Sequence, residues 1–105
     1  MMKNHYLITL ILSLASLMAP AAVFAGVPVK GVVTDTKGEP LVGAMVYEPG
    51  TSNGTMTDVD GSYSITLSSA DASISFSSIG YTELTEKVAG RSVINVALSD
   101  DTQML

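Results

Sequence analysis

The chain has 105 residues, no cysteine, no tryptophan and a formal net charge of −5. That length allows one small domain. The missing cysteines exclude disulfide staples and a lipid-modified N-terminal cysteine, and the acidic balance argues against nucleic acid and anionic headgroups as partners.

Residues 1–25 read as an export signal. Met1–Tyr6 is short and carries Lys3, an apolar run follows from Leu7 to Met18, and a Pro-Ala-Ala break leads to Val23-Phe24-Ala25. The run is shorter than the roughly 18 apolar residues a membrane span needs. Small residues at the end of the segment suit a signal peptidase, so cleavage is expected between Ala25 and Gly26. Beyond Ala25, all ten carboxylates face only Lys30, Lys37, Lys87 and Arg91, for a net charge of −6. Residues 26–99 are expected to form the domain and residues 100–105 to begin a linker, with the chain free to move after Leu98. A domain of this size buries only about 60% of its unfolded surface. Without disulfides, packing between sheets has to hold it.

From there the chain alternates with period two. Val29–Asp35 and Ala44–Glu48 are rich in β-branched or aromatic residues, and Gly54–Asp58 adds a short segment. Tyr63, Ile65 and Leu67 alternate with Ser62, Ser64 and Thr66; Ala72, Ile74 and Phe76 alternate with Ser73, Ser75 and Ser77. Tyr81–Val88 follows, and then Ile94, Val96 and Leu98 alternate with Val93, Asn95 and Ala97. Each run predicts a strand with one buried face, with Tyr63, Ile65, Phe76 and Val96 inward and Ser64, Ser75 and Asn95 outward. Turns are expected at Thr36–Glu39, at Asn53-Gly54 as a hairpin dipeptide with positive φ, at Asp58–Gly61 and at Ala89–Arg91. The pattern predicts an all-β fold, a small two-sheet antiparallel β-sandwich of six or seven strands.

Chemistry is sparse. The single histidine, His5, lies in the segment to be removed, which excludes a Ser-His-Asp arrangement and any His-ligated zinc site in the mature chain. No Ser-x-x-Lys and no Gly-x-Gly occurs. No catalytic, cofactor-binding or metal-binding residue is therefore assigned. Asp58-Val59-Asp60-Gly61 resembles part of a calcium loop, but a strand pattern follows where the bidentate Glu would stand, so it reads as a turn. Asn53-Gly54-Thr55 matches a glycosylation sequon and carries little weight beside its turn role. Of the aromatic residues past Ala25, Tyr63 and Phe76 are expected in the core. Only Tyr47 and Tyr81 stay open to another role.

Three segments together resemble the carboxypeptidase-regulatory-like domain, a transthyretin-like β-sandwich. They are VKGVVTDTKGEPLVGAMV (Val29–Val46), GTMTDVDGSYSITL (Gly54–Leu67) and ISFSSIGYTEL (Ile74–Leu84). The shared features are an opening with Gly31 and Asp35, a hairpin with Gly54, Thr57, Asp58, Asp60, Gly61 and Tyr63, and the dipeptide Gly80-Tyr81. The resemblance implies structural roles for all ten residues. An export signal followed at once by such a domain also resembles the start of SusC/RagA-type TonB-dependent outer-membrane receptors. That likeness implies a periplasm-facing, non-catalytic domain in a receptor importing oligosaccharides or peptides. It also implies a frame continuing past Leu105 through an Asp-Glu-Val-Val-Val-like coupling segment into a plug and a barrel. Plug and barrel, a surface lipoprotein and periplasmic energy-coupling proteins are the implied partners. The alternative is a free-standing exported sandwich for adhesion or surface-carbohydrate binding, which the DNA beyond Leu105 would discriminate.

Overall fold

A computed structural model of the protein describes residues 26–101. The expected signal segment through Ala25, and residues 102–105 of the expected linker, lie outside the described residues. Seven strands are formed: β1 (Val27–Asp35), β2 (Met45–Tyr47), β3 (Gly54–Met56), β4 (Ser62–Leu67), β5 (Ser73–Ser77), β6 (Leu84–Lys87) and β7 (Val96–Leu98). They make two layers, a three-stranded sheet ordered β4-β1-β7 and a four-stranded sheet ordered β3-β2-β5-β6.

The alternation in the sequence decides which side chains lie between the layers. Tyr63, Ile65 and Leu67 of β4, with Ile94, Val96 and Leu98, are buried, while Ser64, Thr66, Asn95 and Ala97 are exposed. Facing them from the other sheet are Val46, Ile74 and Phe76, all fully buried. Across the interface Tyr63 and Phe76 pack edge to face, with ring centroids 5.5 Å apart at 71°.

Gly31 is required by a close approach rather than by its backbone angle. A Cβ on Gly31 would stand 1.8 Å from the carbonyl oxygen of Ile94 and 3.0 Å from the Tyr63 ring. Gly31 pairs with Tyr63 across β1 and β4. The bare glycine therefore lets the Tyr63 ring pass over β1, and its hydroxyl donates to the Ile94 carbonyl at 2.6 Å. Burial pushes the Tyr63 phenol up to about 12.

The structure departs from the sequence reading at four places. β1 and β7 run parallel, with Val33 opposite Val96 and Asp35 opposite Leu98, in an otherwise antiparallel sandwich. All of β2 to β6 lies between these two strands, so the chain has ample length for the crossover that parallel neighbours need. Asn53-Gly54 is not the hairpin turn. The chain reverses at Glu48–Thr51, where Gly50 has φ +83 and the Thr51 N–H donates to the Glu48 carbonyl, while Gly54 already begins β3. Ser75 was expected outward and exposed but is only 2% exposed. It sits between Tyr47 and Thr85 on the neighbouring strands, and its Oγ lies 2.8 Å from Thr85 Oγ1. A short side chain on a central strand is covered by its taller neighbours. Finally, the chain is not free after Leu98. Thr82 N–H donates to the Ser99 carbonyl and Asp101 N–H to the Gly80 carbonyl, both at 2.9 Å, so bonded structure runs to Asp101.

Candidate functional site

Strand directions sort the loops into two poles. β1, β3, β5 and β7 end, and β2, β4 and β6 begin, at one pole, from which the described chain leaves at Asp101. Gly26, the Glu48–Asn53 loop and the Val88–Ser92 loop occupy the other.

The exit pole holds two turns built alike. In Asp35–Glu39, Asp35 Oδ1 accepts the N–H groups of Lys37 (2.8 Å) and Glu39 (2.9 Å), and Gly38 at φ +88 donates to the Asp35 carbonyl. In Asp58–Ser62, Asp58 Oδ1 accepts the N–H groups of Asp60 and Ser62, each at 2.9 Å, and Gly61 at φ +75 donates to the Asp58 carbonyl. Each aspartate thus satisfies the amides of its own turn, the chemistry that makes Asp-x-x-Gly a turn. Asp60 makes no such bond and is exposed. Thr57, just before the second turn, is buried. Its Oγ1 accepts the Ala44 N–H at 2.9 Å and donates to the Leu41 carbonyl, tying the β3 end to the segment that enters β2. Gly80, at φ +89, and Tyr81 form the third turn of this pole. Tyr81 bridges to Asp100.

Of the ten motif residues, seven therefore gather at the exit pole: Asp35, Thr57, Asp58, Asp60, Gly61, Gly80 and Tyr81. Gly31 and Tyr63 lock the sheet interior, and Gly54 opens β3 beside Tyr47. No three His, Cys, Asp or Glu side chains converge as a metal site among the described residues. The carboxylates instead spread over the exit pole, where Asp35, Glu39, Asp58, Asp60, Glu83, Asp100 and Asp101 are opposed only by Lys37. Among the described residues, five of the six exposed large hydrophobics stand there too: Val42, Met45, Met56, Val59 and Ile79, the last fully exposed. This acidic and apolar end is the candidate functional surface. Sequence reasoning missed it because its members come from four separate segments, Asp35–Met45, Met56–Asp60, Ile79–Glu83 and Asp100–Asp101.

Sequence reasoning also missed Glu48, a carboxylate only 5% exposed at the far pole. Its Oε1 accepts the Asn53 Nδ2 (3.1 Å) and the Ser68 N–H (3.2 Å), and its Oε2 accepts the Ser68 hydroxyl. The Ser68 hydroxyl and then Asn53 hold its carboxyl below the ordinary value, against a smaller opposing effect of burial. Asn53 Nδ2 also donates to the Thr66 carbonyl at 2.7 Å, so the sequon nitrogen is engaged on both sides. Tyr47, one of the two aromatics left open, donates its hydroxyl to Glu83, which raises its own pKa. Nothing here offers a nucleophile with a base.

Residues 29–105 match the family described as CarboxypepD_reg-like domain. The chain belongs to that family. The TonB-dependent receptor SusC of Bacteroides thetaiotaomicron is 39% identical over 107 residues, spanning all of this chain and 10% of that protein. The TonB-dependent receptor P39 of Formosa agariphila is 38% identical over 77 residues, spanning 73% of this chain and 7% of that protein. The chain thus spans about a tenth or less of the curated relatives it matches. Among solved structures, one from a type II cohesin–X-dockerin complex of Acetivibrio cellulolyticus superposes with a TM-score of 0.52. That match has 18% identity and covers 70% of this chain and 53% of that one, a likeness of fold alone. The CarboxypepD_reg-like domain of this chain gathers seven of the ten motif residues at one pole.

Proposed function

We propose that this chain is the periplasm-facing N-terminal domain of a SusC-type TonB-dependent outer-membrane receptor, serving as a non-catalytic docking module. The observation that carries this reading is the 39% identity along the whole chain to a receptor of which it matches one tenth. In that setting residues 1–25 are an export signal, and a coupling segment, a plug and a barrel follow past Leu105. Oligosaccharides or peptides are the class of cargo, bound by those later parts. A surface lipoprotein and periplasmic energy-coupling proteins are the partners. The sandwich supports the docking role because its polar side chains are largely spent on its own turns, while its exit pole leaves charge and apolar surface unspent.

Two measurements test the reading. Sequencing the gene past the codon for Leu105 should reveal a plug and then barrel strands of about ten residues; a stop codon there would favour a free-standing adhesion or carbohydrate-binding module. Since residues 1–105 hold no cysteine, Val59→Cys places a single exposed thiol in this domain, with the unsubstituted protein as the labelling control. A membrane-impermeant maleimide should label that thiol only after the outer membrane is permeabilised. Labelling in intact cells would refute the periplasmic orientation.

A further inference from the structure

A sandwich of two open sheets has four edges, and on three of them here at least one backbone group at or next to the strand is already taken up. On β4, the Ser62 N–H and carbonyl are both bonded to Asp58, and the Thr66 carbonyl takes the Asn53 side chain. On β6, the Lys87 carbonyl accepts the Arg91 guanidinium. β7 runs directly into the Ser99–Asp101 clasp. Blocking exposed strands in this way is how sheets avoid pairing with other chains.

β3 is the exception. The Thr57 N–H donates to the Ala44 carbonyl and the Glu48 N–H to the Asn53 carbonyl. In an antiparallel ladder this makes Val46 and Thr55 a hydrogen-bonded pair and turns the N–H and C=O of Gly54 and Met56 outward. Neither residue bonds to another described segment. Gly54 has no side chain to screen this edge, and beside it lies a concavity of about 410 Å³ walled by Met45, Tyr47 and Met56. Of the polar side chains lining that concavity, Tyr47, Thr51 and Asn53 are already engaged, and only the Ser52 and Thr55 hydroxyls have no partner among the described residues. Asn53 donates to Glu48 and Thr66, and the Thr51 hydroxyl donates to the Glu48 carbonyl while accepting the Asn53 N–H. A sugar would find few free partners there. A peptide strand would find four backbone groups and a methionine floor.

We propose that the β3 edge is a docking site for an extended peptide segment of another protein, basic and apolar in alternation, added as a fifth strand to the four-stranded sheet. Charge selects the occupant. From Gly38 to Glu86, which covers β2 to β5 and most of β6, the chain has no lysine or arginine, and β3 points into the carboxylate-rich exit pole. A second copy would bring the same acidic surface and be repelled; a basic strand would be drawn in. The proposal rests on the docking reading above and names its surface and the chemistry of its partner.

Amide NMR on the chain tests this, with three synthetic probes: a hexapeptide alternating Lys and Val, one alternating Glu and Val, and a linear glucose hexasaccharide. The Lys-Val peptide should shift the Gly54 and Met56 amides first, and more strongly than the Glu-Val peptide. Met56→Pro removes one outward donor without touching the β2 pairing, and should weaken binding about tenfold. Met56→Lys keeps the backbone donor and should weaken it too, by repulsion. Thr85→Pro on the β6 edge should leave binding unchanged. Equal response to the two peptides, shifts centred on β4 or β6, or a concentration-dependent dimer through Gly54 and Met56 would each overturn the proposal. Silence from every probe also overturns it while leaving the docking reading in place. A hexasaccharide shift at these amides would instead overturn the docking reading itself.

Discussion

The Asp35 and Asp58 turns are nearly the same object in two surroundings. Each has an aspartate whose Oδ1 accepts the amides two and four residues on, and a glycine in the left-handed region three residues on. Gly38, however, has nothing within 4 Å of where a Cβ would stand. At Gly61 that Cβ would lie 2.5 Å from the Val33 carbonyl oxygen and 3.0 Å from Pro40. The Val33 N–H also donates to the Gly61 carbonyl at 2.8 Å, so the second turn is packed onto β1. The comparison separates two costs that a glycine motif hides: the backbone angle, which both turns carry, and the close approach, which only one does.

The largest effect should come from the glycines. Gly38→Ala should cost about 1 kcal/mol, the penalty for a side chain at positive φ. Gly61→Ala should cost about 3 kcal/mol or more, because backbone and a proline ring have to move as well. Chemical denaturation of the two variants measures the difference directly. Equal losses would mean that the packing of Gly61 onto β1 contributes nothing.

A middle-sized effect should come from the aspartates, and here the two turns should agree. Asp35→Ala and Asp58→Ala each remove an acceptor shared by two amides, and each should cost about 1–2 kcal/mol. A much larger loss at Asp58 would show that its side chain, and not only Gly61, is part of the contact with β1.

The smallest effect sharpens the contrast between exposed turn carboxylates and the buried Glu48. Its folded pKa lies below the ordinary value of 4.5, so the unfolded chain takes up the proton first as pH falls. The stability Glu48 contributes is therefore complete above that ordinary value and disappears as pH drops through the lower, folded one. Glu48→Gln should flatten this part of the stability profile, measured by denaturation from pH 6 down to about 3. An unchanged profile would mean that the bonds from Ser68 and Asn53 do not favour the ionised form.

Much of the fold was legible because period two and turn chemistry are local. The β4 alternation placed Tyr63, Ile65 and Leu67 inward, and Asp58 with Gly61 announced their turn without any knowledge of the partner strands. The misreadings share one cause. Asn53-Gly54 has the composition of a hairpin turn, but Asn53 is recruited to bridge Glu48 and Thr66, which lie five and thirteen residues away. Ser75 has the face of a wet residue, but Tyr47 and Thr85 close over it. Of the candidate surface, the sequence displayed the carboxylates and the motif residues one by one, but not that seven acidic groups meet at a single end.

By itself, then, the sequence determined what each short segment could be: which faces would be buried, where the chain could turn, and that no catalytic histidine or thiol was present beyond Ala25. Only the tertiary structure decided how the segments sit together. The parallel course of β7, the trapping of Gly31 and Gly61, the clasp at Ser99–Asp101 and the open β3 edge all depend on which strands become neighbours. Alternation is the same for parallel and antiparallel strands and for central and edge strands. Neighbour choice is settled by burial and close approach between segments far apart in the chain, and no local pattern records it.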